Sequence, residues 1–341
     1  MHMNIFDNDA FSLLSMTQAV EKMPTVPSFL GSLGLFGNGE GVATDTVTVE
    51  RKDMVLTPIR TSQRGTAPAM GTTEKARLRS FVIPRVAKAD QVFAREIANV
   101  RAFGTESELQ TAAQLIAQKQ AKLLAEHETT MELHRLGAIR GILLDTDGSV
   151  LYNYFTEFGI SQPAAINFAL TATNPTPGVL RSLISNSVTR PIARALGAAY
   201  VPGVRIMALC GDTFYDNFVN HNDVRRTYEN WQAAESLRTN TAFASFTFAD
   251  VDWVNYKGTD DNSTVAIGTN EVQFIVMGVP GLYRRINGPG ETFDTVNTIG
   301  RPIYSWLVRD EARNMWVQPE IYSYPLHMVT RPEVLLRGVG S

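Results

Sequence analysis

The sequence predicts an α+β fold in which extended segments are attached to one unusually long helix. Three observations predict it. Residues 1–46 carry apolar anchors with no helical or strand period, residues 47–86 alternate like a long two-stranded hairpin, and residues 105–136 keep a helical apolar pattern. At 1.5 Å per residue that helix is roughly 46 Å long, far above the globular average.

Composition sets the bounds. The 341 residues are 44% hydrophobic and 19% charged, enough apolar material for a sizeable core and enough length for two or three domain-sized units. The net charge is -3, and the seven Lys and 24 Arg are scattered, so no block of charge marks a dedicated nucleic-acid or membrane surface. An excess of Arg over Lys suits buried or interfacial ion pairs. Cys210 is the only cysteine, which rules out an intramolecular disulfide or a thiolate cluster and fits folding in a reducing compartment. Met1-His2-Met3 leads into Asp7 and Asp9, so no signal peptide is expected. No run reaches the ~18 apolar residues of a membrane span.

The N-terminal arm, residues 1–46, has Phe6, Phe11, Leu13 and Leu14, then Pro24, Pro27 and a series of glycines from Gly31 to Gly41. Such a segment needs another surface to lie on. In the extended hairpin loop at 47–86, Val47, Val49 and Val55 give strand spacing on one side and Leu78, Ser80 and Val82 on the other, with a polar, Gly-rich tip between them running from Arg60 through Arg64, Gly65 and Gly71. A two-stranded ribbon is marginal in water, so one this long predicts a partner surface. Residues 90–103 read as an amphipathic helix capped by Asp90 and lined by Val92, Phe93, Ile97, Val100 and Phe103. The long helix opens on the capping box Thr105 to Glu108 and stops at Gly137.

Residues 138–158 predict a hairpin, with Ile139–Leu144 turning at Asp147-Gly148 into Val150–Phe155. Val179–Leu196 is helical, with Pro191 expected to break or kink it. Val204–Leu209 is a short strand and Asp212–Thr239 is helical. Strands follow near 243–248, 251–256, 272–277, 304–308, 316–318 and 328–331.

One enzymatic reading has to be weighed. Gly141 to Gly148 includes Asp145 and Asp147 after an apolar strand and resembles the first motif of haloacid-dehalogenase-type phosphatases, in which the first Asp is the nucleophile and the second the general acid. Cys210-Gly211-Asp212 with Asp216 resembles that family's magnesium-holding motif. Two physical points oppose it. No Lys stands between Lys122 and Lys257 to neutralise a phosphoryl group, and Asp147-Gly148 reads as a tight turn rather than the start of a crossover. Asp145 and Asp147 also fail as a calcium loop, because Val150 and Thr156 stand where Gly and Glu are needed. His127 and His134 are seven apart on the long helix and read as packed or solvated side chains. Gly37-Asn38-Gly39-Glu40-Gly41 lacks the phosphate-cradle spacing. Trp231, Trp253, Trp306 and Trp316 read as core or interface anchors.

The order of these parts resembles the lambda-type phage major capsid protein family, the protein E family. The resembling segments are collinear along nearly the whole chain. Near the start come Val26 to Gly31 and Leu33 to Phe36. Arg64-Gly65, Arg101 to Gly104, Glu132 to Ala138, Asp145 to Gly148 and Phe155 to Ile160 follow. Later come Cys210 to Asp212 with His221, Pro280 to Tyr283, Asn297 to Tyr304 and Thr330 to Leu335.

The resemblance implies a Hong Kong 97-type fold. It would comprise the arm at 1–46, the extended loop at 47–86, a peripheral domain at 87–165 with its spine helix at 105–136, an axial domain at 166–300, and C-terminal strands at 301–341 returning to the peripheral domain. It implies that the arm reaches over a neighbour and the loop lies on the adjacent subunit. It implies a head protein that self-assembles into hexamers and pentamers of an icosahedral shell around packaged double-stranded DNA, with non-specific contact between DNA and the inner wall. Portal, scaffold and decoration proteins would be its partners, the host cytoplasm its place of assembly and the virion capsid its destination. No catalytic residue, metal or cofactor is expected. Lys52 and Lys75 lie in the loop without any sign of reactivity toward covalent cross-links. A cellular compartment of the same fold is the other assembly reading; an enzyme cargo in place of packaged DNA would distinguish it.

Overall fold

The computed structural model describes residues 16–18, 28–51, 77–98, 108–172, 176–229, 245–258 and 265–340. The chain divides into two compact units. One gathers Met1–Val47, Phe81–Arg135 and Arg284–His327, and the other gathers Thr48–Ser80, Leu136–Tyr283 and Met328–Ser341.

In the first unit, strand Trp316–Ser323 pairs antiparallel with Tyr304–Arg309 on one side and with Val86–Ala89 and Val92–Phe93 on the other. The long helix lies on this sheet through Leu123 and Leu124, which pack with Ile303 and Ile321. Ile116 of the same helix packs with Met16, Val92 and Val317. The expected helix at 90–103 is corrected at its start. Val92–Phe93 is a strand, because its amides can complete a ladder with Trp316-Val317, and the helix is Ala94–Ala98. Its continuation, and the capping box at 105, lie outside the described residues.

The long helix is described over Glu108–Arg140, 33 residues, or about 50 Å. It passes through Gly137 instead of stopping there. Gly137 is a point of close approach, since a Cβ would lie 3.0 Å from the Ile142 carbonyl oxygen and 3.2 Å from the Leu143 Cα. The chain leaves the helix at Gly141, whose φ of +81° suits glycine. There a Cβ would also run into the Phe155 ring.

The hairpin that follows is Ile142–Leu144 against Val150–Asn153, antiparallel and with a register shift at Leu143/Leu144. Tyr154 and Phe155 are helical rather than strand: Asn153 accepts hydrogen bonds from the Phe155 and Thr156 amides and starts the helix Tyr154–Phe158.

The second unit is organised by a six-stranded mixed sheet in the order 245–248, 251–255, 205–210, 271–277, 337–339, 166–167. Val251–Asn255 runs parallel to Arg205–Cys210, and Glu271–Met277 runs antiparallel to it. The last strand, Arg337–Val339, is inserted between Glu271–Met277 and Ile166–Asn167, so the C-terminal segment is shared between the two units. Trp253, fully buried, stacks on Phe218 at 3.9 Å and donates its indole N–H to the Phe248 carbonyl at 3.1 Å. Phe168, Phe214 and Phe274 complete this aromatic core.

Val179–Leu196 keeps its helical course past Pro191. The missing proline N–H is absorbed by a π-turn at Ser185–Thr189, where the Arg190 amide bonds to Ser185. The predicted helix at 212–239 is two helices, Asp212–Asn220 and Asn222–Glu229, broken at His221; residues 230–244, with Trp231, lie outside the described residues.

Replacing Gly141 by Ala is expected to destabilise the isolated subunit by about 1–3 kcal/mol through its left-handed φ alone, and by more through the Phe155 clash. Urea unfolding of the unassembled protein measures it; an unchanged midpoint contradicts this account of the helix exit.

Candidate functional site: the arm clamp and the ribbon

The arm has no period of its own, and the described parts of it are held by side chains of the first unit. Thr17 donates its hydroxyl to the Ser305 carbonyl at 3.2 Å and accepts the Ser305 amide at 3.1 Å. Gln120 from the long helix donates to the Ser305 hydroxyl at 3.0 Å. Further on, Glu132 from the same helix accepts the Leu30 amide at 2.8 Å and the Gly31 amide at 3.3 Å. Arg135, one turn later, donates to the Ser28 hydroxyl at 2.9 Å and pairs with Glu132 and Glu128 at 3.4 and 3.5 Å. Gly31 is required by this geometry. A Cβ there would meet the Ser28 hydroxyl and lie 3.0 Å from the Arg135 guanidinium. Leu30 is buried beneath the clamp. Residues 16–18 and 28–46 are thus held in part by side chains of their own chain. The physical reason is the buried carboxylate, which needs donors that the arm's free amides supply.

Three buried histidines lie in the same unit. His127 shares a 2.6 Å hydrogen bond with the Ser323 hydroxyl. His134 and His327 meet edge to face at 6.3 Å, and Phe36 of the arm meets His327 at 5.2 Å. Burial, then Arg285, His134 and Arg135, push His127 down to about 3, and the same causes hold His327 well below the ordinary range. Burial and then Arg135 also lower Arg285. The charged groups facing the cluster are thus Arg135 and Arg285, with Glu128 and Glu132 engaged by Arg135. His127 and His134 are packed, and among the described residues no three His, Cys, Asp or Glu side chains converge as a metal site.

The ribbon forms at its base. Thr46–Arg51 and Arg77–Val82 pair as a two-stranded sheet, the Thr48 and Ser80 hydroxyls lie 3.2 Å apart, and the Ile83 amide donates to Asp45. Its inward face holds Val47, Val49 and Phe81. Leu78 and Val82 point outward and are 63% and 58% exposed. The period of two places Phe81 inside, so neighbours of opposite parity must face out. Residues 52–76, with the tip, Lys52 and Lys75, lie outside the described residues.

The four aspartates of the phosphatase motifs have local structural roles. Asp145 and Asp147 shape the hairpin turn: Asp145 accepts the Thr146 amide, Asp147 accepts the Ser149 amide, and the Gly148 amide donates back to Asp145. Asp147 sits below the usual carboxylate range because of its Ser149 hydrogen bonds. Asp212 opens its helix and accepts the Asn255 amide group at 3.0 Å. The backbone carbonyl of Asp216 accepts from Asn220. Gly211 is set by close approach, because a Cβ would strike the carbonyls of Gly268 and Thr269. Cys210 is buried and its thiol pushed up, hence inert.

Comparison with known proteins follows the same lines. The family model described as phage major capsid protein E matches residues 12–339. The chain is 25% identical to the major capsid protein of Pseudomonas phage KPP10, covering 97% of each chain. It is 22% identical to that of Salmonella phage Felix O1, covering 97% of this chain and 96% of the other. Its backbone is similar to the capsid of Myoviridae phage XM1, with a TM-score of 0.52, 15% identity, and 94% and 95% of the two chains covered.

Two outcomes are expected. Glu132→Ala leaves the buried Arg135 with only the 3.5 Å contact to Glu128 and two amides without their acceptor, a loss of about 3–5 kcal/mol. Limited proteolysis should then cut near Phe29 and Leu30, which the wild-type subunit protects. For pH, His127 and His327 bind protons more weakly folded than unfolded, so their contribution is full above the unfolded value near 6.5 and is lost as pH falls, for His127 toward its folded value of about 3. The urea midpoint of the subunit should fall between pH 7 and pH 5, and less so in His127→Gln; equal slopes contradict the assignment.

Proposed function

This chain belongs to the phage major capsid protein E family, and from that premise we propose how it builds and fills a shell. It is a structural protein of the virion of a tailed phage, an oligomer-forming shell subunit rather than an enzyme. In our reading the subunits form the hexamers and pentamers of an icosahedral head that encloses double-stranded DNA. The observation that carries the reading is the continuous family match over residues 12–339, which takes in the arm, the ribbon base and both units.

The physical logic runs through incomplete burial. A ribbon whose outer face bears exposed Leu78 and Val82 gains stability by lying on another copy, and modest contacts repeated under closed symmetry sum to a stable shell. We assign the peripheral domain to 87–165 with the spine helix, the axial domain to 166–300 and the C-terminal return to 301–341, the final strand Arg337–Val339 serving the sheet of the second unit. A net charge of -3 suits an inner wall that meets DNA only through non-specific, salt-sensitive contacts. Portal, scaffold and decoration proteins are the expected partners, and the bacterial cytoplasm the place of assembly.

Expression of the chain followed by electron microscopy tests the reading. Closed shells of uniform curvature are expected, and Asp145→Asn should assemble as wild type does. A protein that remains monomeric under all assembly conditions, scaffold present or absent, contradicts it.

A further inference from the structure

The chain holds two Asn-Gly pairs, Asn38-Gly39 and Asn287-Gly288. Such a pair carries its own reagent. The backbone nitrogen that follows an asparagine can attack the side-chain Cγ, and a glycine there, without a Cβ, leaves the approach open. Asparagine is accordingly among the thermolabile residues. The fold treats the two pairs in opposite ways.

Asn287 is 2% exposed. Its Oδ1 accepts the Arg285 Nε–H at 3.0 Å and its Nδ2 donates to the Asn38 carbonyl at 3.4 Å, so the side-chain amide is held at both ends. The Gly288 nitrogen is engaged as well, donating to the Tyr324 carbonyl at 2.8 Å. The related Asp147-Gly148 pair is restrained in the same manner. The Gly148 amide donates to the Asp145 carbonyl at 3.0 Å, and the Asp147 carboxylate, a poor electrophile when ionised, accepts the Ser149 amide at 2.8 Å.

Asn38-Gly39 is the contrary case. Both residues are exposed and lie outside helix and strand. Among the described residues, no group bonds to the Asn38 side-chain amide and none accepts the Gly39 N–H. Gly37 and Gly39 flank Asn38 with φ of +57° and +86°. The pair also sits where chain length matters. On one side Phe36 is seated on His327, with ring centroids 5.2 Å apart. On the other, Glu40 and Gly41 pair in register with Ile286 and Asn287, and Arg284 bonds the Glu40 carboxylate at 2.6 Å.

We propose that Asn38 modifies itself in the folded subunit and that the product frees the arm between Phe36 and Glu40. The Gly39 nitrogen bonds to Asn38 Cγ, the Cγ–Nδ2 bond breaks, and Nδ2 departs as ammonia with the proton that Gly39 gives up. Water then opens the five-membered imide. Hydrolysis at Cγ yields aspartate. Hydrolysis at the main-chain carbonyl yields isoaspartate, whose chain runs through Cβ and Cγ and is one carbon longer. The added carbon displaces one of the two anchors, and the carbonyl that bonds Asn287 becomes a free carboxylate.

Folded subunits and guanidinium-unfolded subunits are incubated in the same warm, mildly alkaline buffer, then digested for mass spectrometry. In the folded protein Asn38 should gain one mass unit and the isoaspartate linkage at least tenfold faster than Asn287 does, whereas unfolding should bring the two rates together. Folded Asn287 reacting as fast as Asn38, or folded Asn38 keeping its amide while unfolded Asn38 loses it, overturns the proposal. For the arm, chymotrypsin should cut after Leu35 and Phe36 at least fivefold faster in aged wild type than in fresh protein. Asn38→Gln, whose longer side chain closes the ring poorly, should keep the fresh rate after the same incubation. Equal cleavage of aged wild type and aged Asn38→Gln overturns the release of the arm.

Discussion

The buried carboxylate of Glu132 decides where the amino-terminal segment lies. It projects from the long helix, where burial penalises an unpaired charge, and the amides of Leu30 and Gly31 with the guanidinium of Arg135 satisfy it. With that pair in place Leu30 is covered, and farther along the arm Phe36 packs on His327. The clamp thus links the short helix Phe29–Ser32 of the arm to the long helix on which the first unit's sheet is packed.

Much of the rest is held by backbone meeting backbone. The collinear motifs that stand out in the sequence mark such meetings. Val42 donates to Asn287 and accepts from Gly300, whose absent side chain lets the strands approach. Thr330 bonds to the carbonyls of Gly281 and Leu282, and Arg331 donates to the Leu196 carbonyl and so closes a helix end. Asp223 accepts the amides of Gly178 and Leu180 at the start of the helix at 179. Glycines and short polar residues at these points read as chemistry when seen as motifs, which is why Asp145, Asp147, Asp212 and Asp216 imitate a phosphatase.

Legibility in the sequence followed the range of the interaction involved. The long helix, the hairpin turn at Asp147-Gly148 and the strands near 205, 251 and 272 are set by local period and turn chemistry, and they were readable. What depends on distant partners was not. Val92–Phe93 looks helical until Trp316-Val317 offers it a ladder. Gly137 looks like a stop until the next hairpin is seen to pass beside it. The outward face of Leu78 and Val82 depends on Phe81 being the buried parity, and Glu132 and Arg135 showed only as a family-like segment, with nothing local to tie them to Ser28 about a hundred positions earlier.

The described parts of the arm are satisfied within their own chain, whereas the ribbon, as we propose, completes its burial on assembly. Hydrogen exchange measured on free subunits and on assembled shells tests that separation directly. The account predicts that the Leu30 and Gly31 amides are protected in both states, whereas amides of Thr46–Arg51 and Arg77–Val82 gain most of their protection on assembly. A ribbon equally protected in the free subunit, or an arm protected only in the shell, contradicts it.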